Sequence, residues 1–172
     1  MSSSDTIQAG VSRRCAIGMI VGAGVLSSCG FQPVFGPGTA ASRMNGQINV
    51  ADIDGKMGFA ARKRLTARLG DANVVTHRLD VAIDVESDGL AISQTNQITR
   101  YNLTGVATYK VVNLAANTTV ETGTARAFAA YSATASPFAT RVAEEDARER
   151  LAISLADQIA TRIAATADRW LP

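Results

Sequence analysis

The residue best placed for chemistry in this chain is Cys29, which stands directly behind Leu26, Ser27 and Ser28. A thiol there can take a diacylglycerol group as a thioether. The small residues before it suit a peptidase cleft, so that cleavage leaves the modified cysteine as a new amino terminus. Each buried methylene contributes about 0.8 kcal/mol, so the acyl chains of a modified cysteine hold a protein stably on a membrane. The other cysteine, Cys15, lies in the apolar run 15–26 ahead of the cut. Cys29 is then alone in the processed chain, and no internal disulfide can form. Acylation accounts for a lone thiol in an oxidising compartment.

Elsewhere the chemistry is sparse. His77 is the only histidine, and no second ligand-type residue stands at a recognisable spacing from it. It reads as an ordinary surface residue. The acids form a helix start and the wet face of a strand, without a paired-carboxylate pattern, and no glycine-rich phosphate loop joins a strand to a helix. The expectation is a chain with no catalytic residue, no metal and no cofactor, hence not an enzyme. The formal net charge of +2 is too small to imply a nucleic-acid partner.

The elements that position Cys29 form an export leader over residues 1–28. Arg13 and Arg14 supply its positive end, and 15–26 is its apolar core. That core falls well short of the ~20 residues needed to span a bilayer. With Leu26-Ser27-Ser28-Cys29 behind it, the leader resembles a bacterial lipoprotein signal with its lipobox. The arginine pair reads as a general export n-region rather than a twin-arginine signal. Gly30 occupies the place where an inner-membrane retention signal would carry Asp, which by analogy with enterobacterial sorting points to the outer membrane. Residues 29–46, with Pro37-Gly38-Thr39, read as a lipidated tether.

Residues 47–172 read as one domain. A first strand is expected over 47–53, with Asp54 as an N-cap. Over 56–69, Met57, Ala61, Leu65 and Leu69 recur at helical spacing, and Gly70 ends the helix. Arg62, Lys63, Arg64 and Arg68 occupy its remaining surface, most simply as a solvated face. Leu79, Val81, Ile83 and Val85 alternate with Asp80, Ala82, Asp84 and Glu86, a half-buried strand, and Ser87-Asp88-Gly89 reads as a bend. Further strands are expected over 98–112 and 118–130. Ala135-Ser136-Pro137 reads as a helix-start cluster, and a final helix is expected to follow over roughly 142–169, with Leu151, Leu155, Ile159 and Ile163 on its apolar stripe. Glu144, Glu145 and Asp146 fall in the first turns of that helix, where its dipole favours acids. Glu144 with Arg148, and Asp146 with Arg150, have stabilising i,i+4 spacing. The fold class is therefore α+β, a four-stranded sheet with two helices packed on one face, in the order β-α-β-β-β-α.

The opening Cys29-Gly30-Phe31-Gln32-Pro33-Val34-Phe35-Gly36 resembles the start of the LptE family of lipopolysaccharide-assembly lipoproteins in its alphaproteobacterial branch. The element order, the Thr99-Arg100-Tyr101-Asn102-Leu103 strand and the final amphipathic helix extend the resemblance over nearly all of residues 29–170. It implies a lipid-anchored protein on the periplasmic face of the outer membrane. Such a protein would plug the LptD β-barrel, assist its assembly and bind lipopolysaccharide. Family members place cations in the β-hairpin and in the loop before the last helix. The best-matching positions are Arg100 and Arg141, Arg100 standing in because Gln94-Thr95-Asn96-Gln97 carries no cation. The alternative from another class is a pilotin-like or structural lipoprotein that escorts a different barrel or a secretin.

Overall fold

The alternating apolar residues of three long segments make one four-stranded sheet in the order β1-β2-β3-β4. Its strands are β1 (Ile48–Val50), β2 (His77–Ile92), β3 (Ile98–Asn113) and β4 (Thr118–Ser132). The structure is a computed structural model, and it describes residue 36 and residues 38–92 and 98–171. The leader, Cys29, the segment 31–35 and residues 94–97 lie outside the described residues. β1 runs parallel to β2, whereas β2–β3 and β3–β4 are antiparallel. Among the described residues, three helices accompany the sheet: α1 (Ala40–Met44), α2 (Gly55–Leu69) and α3 (Pro137–Thr166), the last closed by a 3-10 turn, Ala167–Arg169.

The fold class is the expected α+β one. Leu79, Leu103, Ala107, Val111, Ala125 and Ala127 of the sheet are buried against Leu151, Leu155, Ile159 and Ile163 of α3, with Leu65 and Leu69 of α2. Full burial of a leucine or isoleucine contributes about 1.5–3 kcal/mol, so this single layer dominates the stability. The close approach of α3 to the sheet depends on Gly105. A Cβ there would stand 3.0 Å from a Leu151 methyl and 3.1 Å from one of Leu155.

Four features depart from the expectation. First, α1 precedes β1, within the segment expected to be tether. Thr39 caps it by accepting from the Ser42 N–H, and Met44 is fully buried. Five residues are too few to show helical periodicity in a sequence. Second, Ser87-Asp88-Gly89 does not end β2. Pairing continues through Asp88↔Asn102 and Gly89↔Tyr101, and the register shifts only beyond them, between Gly89 and Ala91 and between Ala91 and Ile92. The irregularity is a bulge at Leu90, which has no partner between the paired Gly89 and Ala91. Third, α3 begins at Pro137, ahead of the expected start, because the Ser136 hydroxyl accepts from the Ala139 N–H and proline fills the first helical position. Glu144 and Asp146 thus fall beyond the first turn. Their contribution is the pairs with Arg148 at 2.8 Å and Arg150 at 2.9 Å.

The fourth is His77, expected at the surface and found 2% exposed. Its Nδ1 lies 2.8 Å from the Thr76 hydroxyl and its Nε2 3.4 Å from the Asn113 amide. The Trp170 ring meets it edge-on at 5.1 Å. The chain's last turn thus folds back over the start of β2, and burial holds the imidazole below its ordinary pKa.

Candidate functional site

Strand alternation divides the sheet into two faces. One is the core layer beneath α3. The other carries Arg78, Asp80, Ala82, Asp84 and Glu86 from β2, and Thr104, Val106, Thr108 and Lys110 from β3. β4 adds Thr122, Thr124, Arg126 and Phe128. Thr108, Lys110, Thr122, Thr124 and Arg126 are all exposed. Register sets Thr108 opposite Thr124, and Lys110 opposite both Asp80 and Thr122. Asp80 accepts from Arg78 at 2.9 Å and lies 3.6 Å from Lys110, whereas Asp84 and Glu86 of the same face form no ion pair with a described residue. Phe128, opposite Thr104, is a large apolar side chain on this face, 68% exposed. A surface rich in hydroxyls offers many neutral hydrogen bonds to a polar wall.

Arg62, Arg64 and Arg68 of α2 are held in ion pairs. Arg64 donates to both carboxylate oxygens of Asp157, at 2.8 and 3.0 Å, and Arg68 reaches the same carboxylate at 3.5 Å. Arg62 pairs with Asp52 at 2.8 Å and donates to the Val50 carbonyl. The face expected to be merely solvated therefore ties α2 to α3 and to β1. The hydrogen bond from Arg64 to Asp157, and their mutual attraction, raise the Arg64 pKa further.

Arg100 and Arg141 are exposed, and neither forms an ion pair with a described residue. Arg100 stands near the start of β3 opposite Ser132, the last residue of β4, and Arg141 sits early in α3, which follows β4. Both therefore belong to the end of the domain where β4 passes into α3. That end also holds Tyr101 and Tyr131, stacked at 5.0 Å and 11°. Burial, with Glu144 adding to it, raises the Tyr131 pKa. Cys29 lies outside the described residues.

A set of contacts that sequence reading missed closes the outer edge of β4. Gln158 donates to the Arg126 carbonyl at 2.8 Å, Arg150 to that of Ala130 at 3.5 Å, and Arg162 to that of Thr124. Their spacing of multiples of four along α3 was the available signal, although it names no acceptor. Among the described residues, no helix is long and apolar enough to cross a membrane.

Comparison with solved structures places this fold among lipoproteins. A Caulobacter crescentus CB15 chain described as a lipoprotein superposes with a TM-score of 0.60 at 19% identity, covering 75% of this chain and 96% of that one. Rare lipoprotein B from Shewanella oneidensis gives 0.56 at 16%, covering 72% and 96%. A minor lipoprotein from Acinetobacter baumannii gives 0.51 at 15%, covering 72% and 94%. At these identities the likeness speaks for the fold alone. No curated protein matches the sequence. The model of the LptE family, described as lipopolysaccharide-assembly, matches residues 44–163, from the end of α1 to the last turn of α3. This chain belongs to the LptE family of lipopolysaccharide-assembly lipoproteins.

Proposed function

We propose that this lipoprotein is held by acylated Cys29 at the periplasmic face of the outer membrane, where it plugs an LptD-type β-barrel, assists that barrel's assembly and helps pass lipopolysaccharide to the cell surface. The observation that carries the reading is the threonine-rich open face of the sheet, in a chain that belongs to a lipopolysaccharide-assembly family. The lumen of a large outer-membrane barrel is polar. A plug for it needs hydrogen-bonding side chains without a strong net charge, which Thr104, Thr108, Thr122 and Thr124 supply beside the ion-paired Arg78–Asp80–Lys110 group.

Lipopolysaccharide brings anionic phosphates, for which arginine is the fitting partner because its donors match phosphate oxygens in pairs. Arg100 and Arg141 are the arginines we assign to this contact. Both are exposed near the junction of β4 and α3, without a carboxylate partner among the described residues. The work is binding and delivery, with no bond made or broken by the protein.

Affinity purification of the acylated protein from outer membranes, with mass spectrometry of what co-elutes, tests the partner. A stoichiometric LptD-type barrel is the expected result. A secretin in its place would establish the pilotin-like role and overturn the transport reading.

A further inference from the structure

The two edges of the sheet differ. On β4, the side chains of Arg150, Gln158 and Arg162 occupy the outward carbonyls of Ala130, Arg126 and Thr124. Occupied acceptors cannot recruit another strand, which is how folded proteins keep an edge from pairing. β2 forms the opposite edge once β1 has left it. β1 covers only the register from His77 to Leu79, and the last bond on that side runs from the Ala51 N–H to the Leu79 carbonyl at 2.9 Å. The N–H and C=O of one strand residue point to the same side and alternate along the chain. Those of Val81, Ile83 and Val85 therefore face outward, as Leu79's do. β2 continues to Ile92, and no described strand pairs with it on that side beyond Leu79.

This open edge has a shaped neighbour. Where β1 turns into α2, the chain leaves a groove of about 640 Å³ beside β2, with Ile53, Met57, Val81, Ile83 and Val85 among its lining residues. On the opposite face of the same strand, Asp84, Glu86 and Asp88 stand exposed two residues apart. They form no ion pair with a described residue, whereas Asp80, next in the row, is held by Arg78 and Lys110. An added strand would find on one side the apolar side chains of Ile53, Met57, Val81, Ile83 and Val85, in a groove that Asp52, Asp54, Lys56 and Arg148 also line, and uncompensated negative charge on the other.

We propose that the free edge of β2, from Val81 to Gly89, is a strand-addition site for an extended segment of a partner protein whose side chains alternate apolar and basic. The stretch would take about nine residues over about 30 Å. Main-chain bonds to the outward groups of Val81, Ile83 and Val85 supply the affinity, and the groove and acidic row select the sequence. The site lies at the edge opposite the closed one, so binding there leaves the α3 contacts undisturbed.

The probe is a labelled nine-residue peptide alternating lysine and valine, titrated into acylated full-length protein in detergent. The expected result is saturable binding, with amide exchange slowed at Ile83 and Val85. Methylating one alternate set of peptide amides should weaken binding roughly tenfold, and methylating the other set should leave it unchanged, because only one set faces the edge. Asp84→Lys with Glu86→Lys, both exposed, should weaken the lysine peptide roughly tenfold and favour a glutamate–valine peptide instead. The proposal is overturned if the peptide does not bind, if both methylated sets bind as the parent does, or if protection appears on β4. Self-association of the free protein that protects Ile83 without peptide would also overturn it, in favour of a second copy of this chain.

Discussion

Gly105 is where the seating of α3 on the sheet can be measured. The perturbation is a side chain added under the helix, first Gly105→Ala and then Gly105→Val. An added Cβ would stand 3.0 and 3.1 Å from two atoms of Leu151 and 3.1 Å from one of Leu155. Both leucines are fully buried, so neither can swing into solvent. Overpacking of this kind costs about 1–3 kcal/mol. Loss of glycine's unfolded-state freedom returns about 0.5–1 kcal/mol. The alanine variant should therefore lose about 1 kcal/mol, and the valine variant about 2–3 kcal/mol. Leu151→Ala alone should cost about 2–5 kcal/mol through the cavity it leaves. In the double variant valine refills part of that space, so the two losses should fall short of additivity by about 1 kcal/mol or more. Urea unfolding of the full chain, followed by circular dichroism and by the fluorescence of Trp170, gives all four values. A neutral Gly105→Val, or additivity within about 0.5 kcal/mol, would refute the close packing of α3 against β3.

Three further outcomes follow from the same geometry. Because burial lowers the His77 pKa below its unfolded value of about 6.5, the unfolded chain binds the proton first. Stability should be complete above about pH 6.5 and decline as the pH falls through that value, levelling off once the folded pKa is passed. His77→Gln should flatten that slope, and equal slopes in parent and variant would contradict the assignment. Asp157→Asn, which unties Arg64 and Arg68, should lower the melting temperature slightly at low salt and not at all in molar salt, as exposed ion pairs are screened. Arg100→Glu and Arg141→Glu should each weaken binding of purified lipopolysaccharide roughly tenfold without changing the circular dichroism spectrum, and unchanged binding would remove these arginines from the site.

The fold was largely legible because its signals are local. The β2 alternation from Leu79 to Val85, the four-residue spacing of Met57 to Leu69 and the α3 stripe each state their period within one segment. The i,i+4 pairs Glu144–Arg148 and Asp146–Arg150 form as the spacing implies. What escaped depends on partners distant in the chain. His77 is buried because Trp170 returns to cover it. Gly89 stays within β2 because Tyr101 is paired opposite it. Gly123 gives room to the ring of Tyr109, its cross-strand partner, which nothing near Gly123 in sequence declares. The cations of α2 looked solvated because Asp157, their shared acceptor, lies on another helix. For the functional surface, threonine alternation in β3 and β4 was visible, but that these residues share one open face required the register of the three strands. Arg100 and Arg141 came from family resemblance, and the fold puts both near the passage from β4 into α3.

The central claim is that the open sheet face meets an LptD-type barrel. Site-specific photocrosslinking in living cells tests it most directly, with the reactive residue placed at Thr108 or Thr124 on that face and, as a control, at Phe59, which is 70% exposed on α2. The account predicts an adduct with the LptD-type barrel from both threonine positions and a weaker one, or none, from Phe59. An adduct with a secretin or another barrel from the threonine positions, with LptD absent, would contradict it.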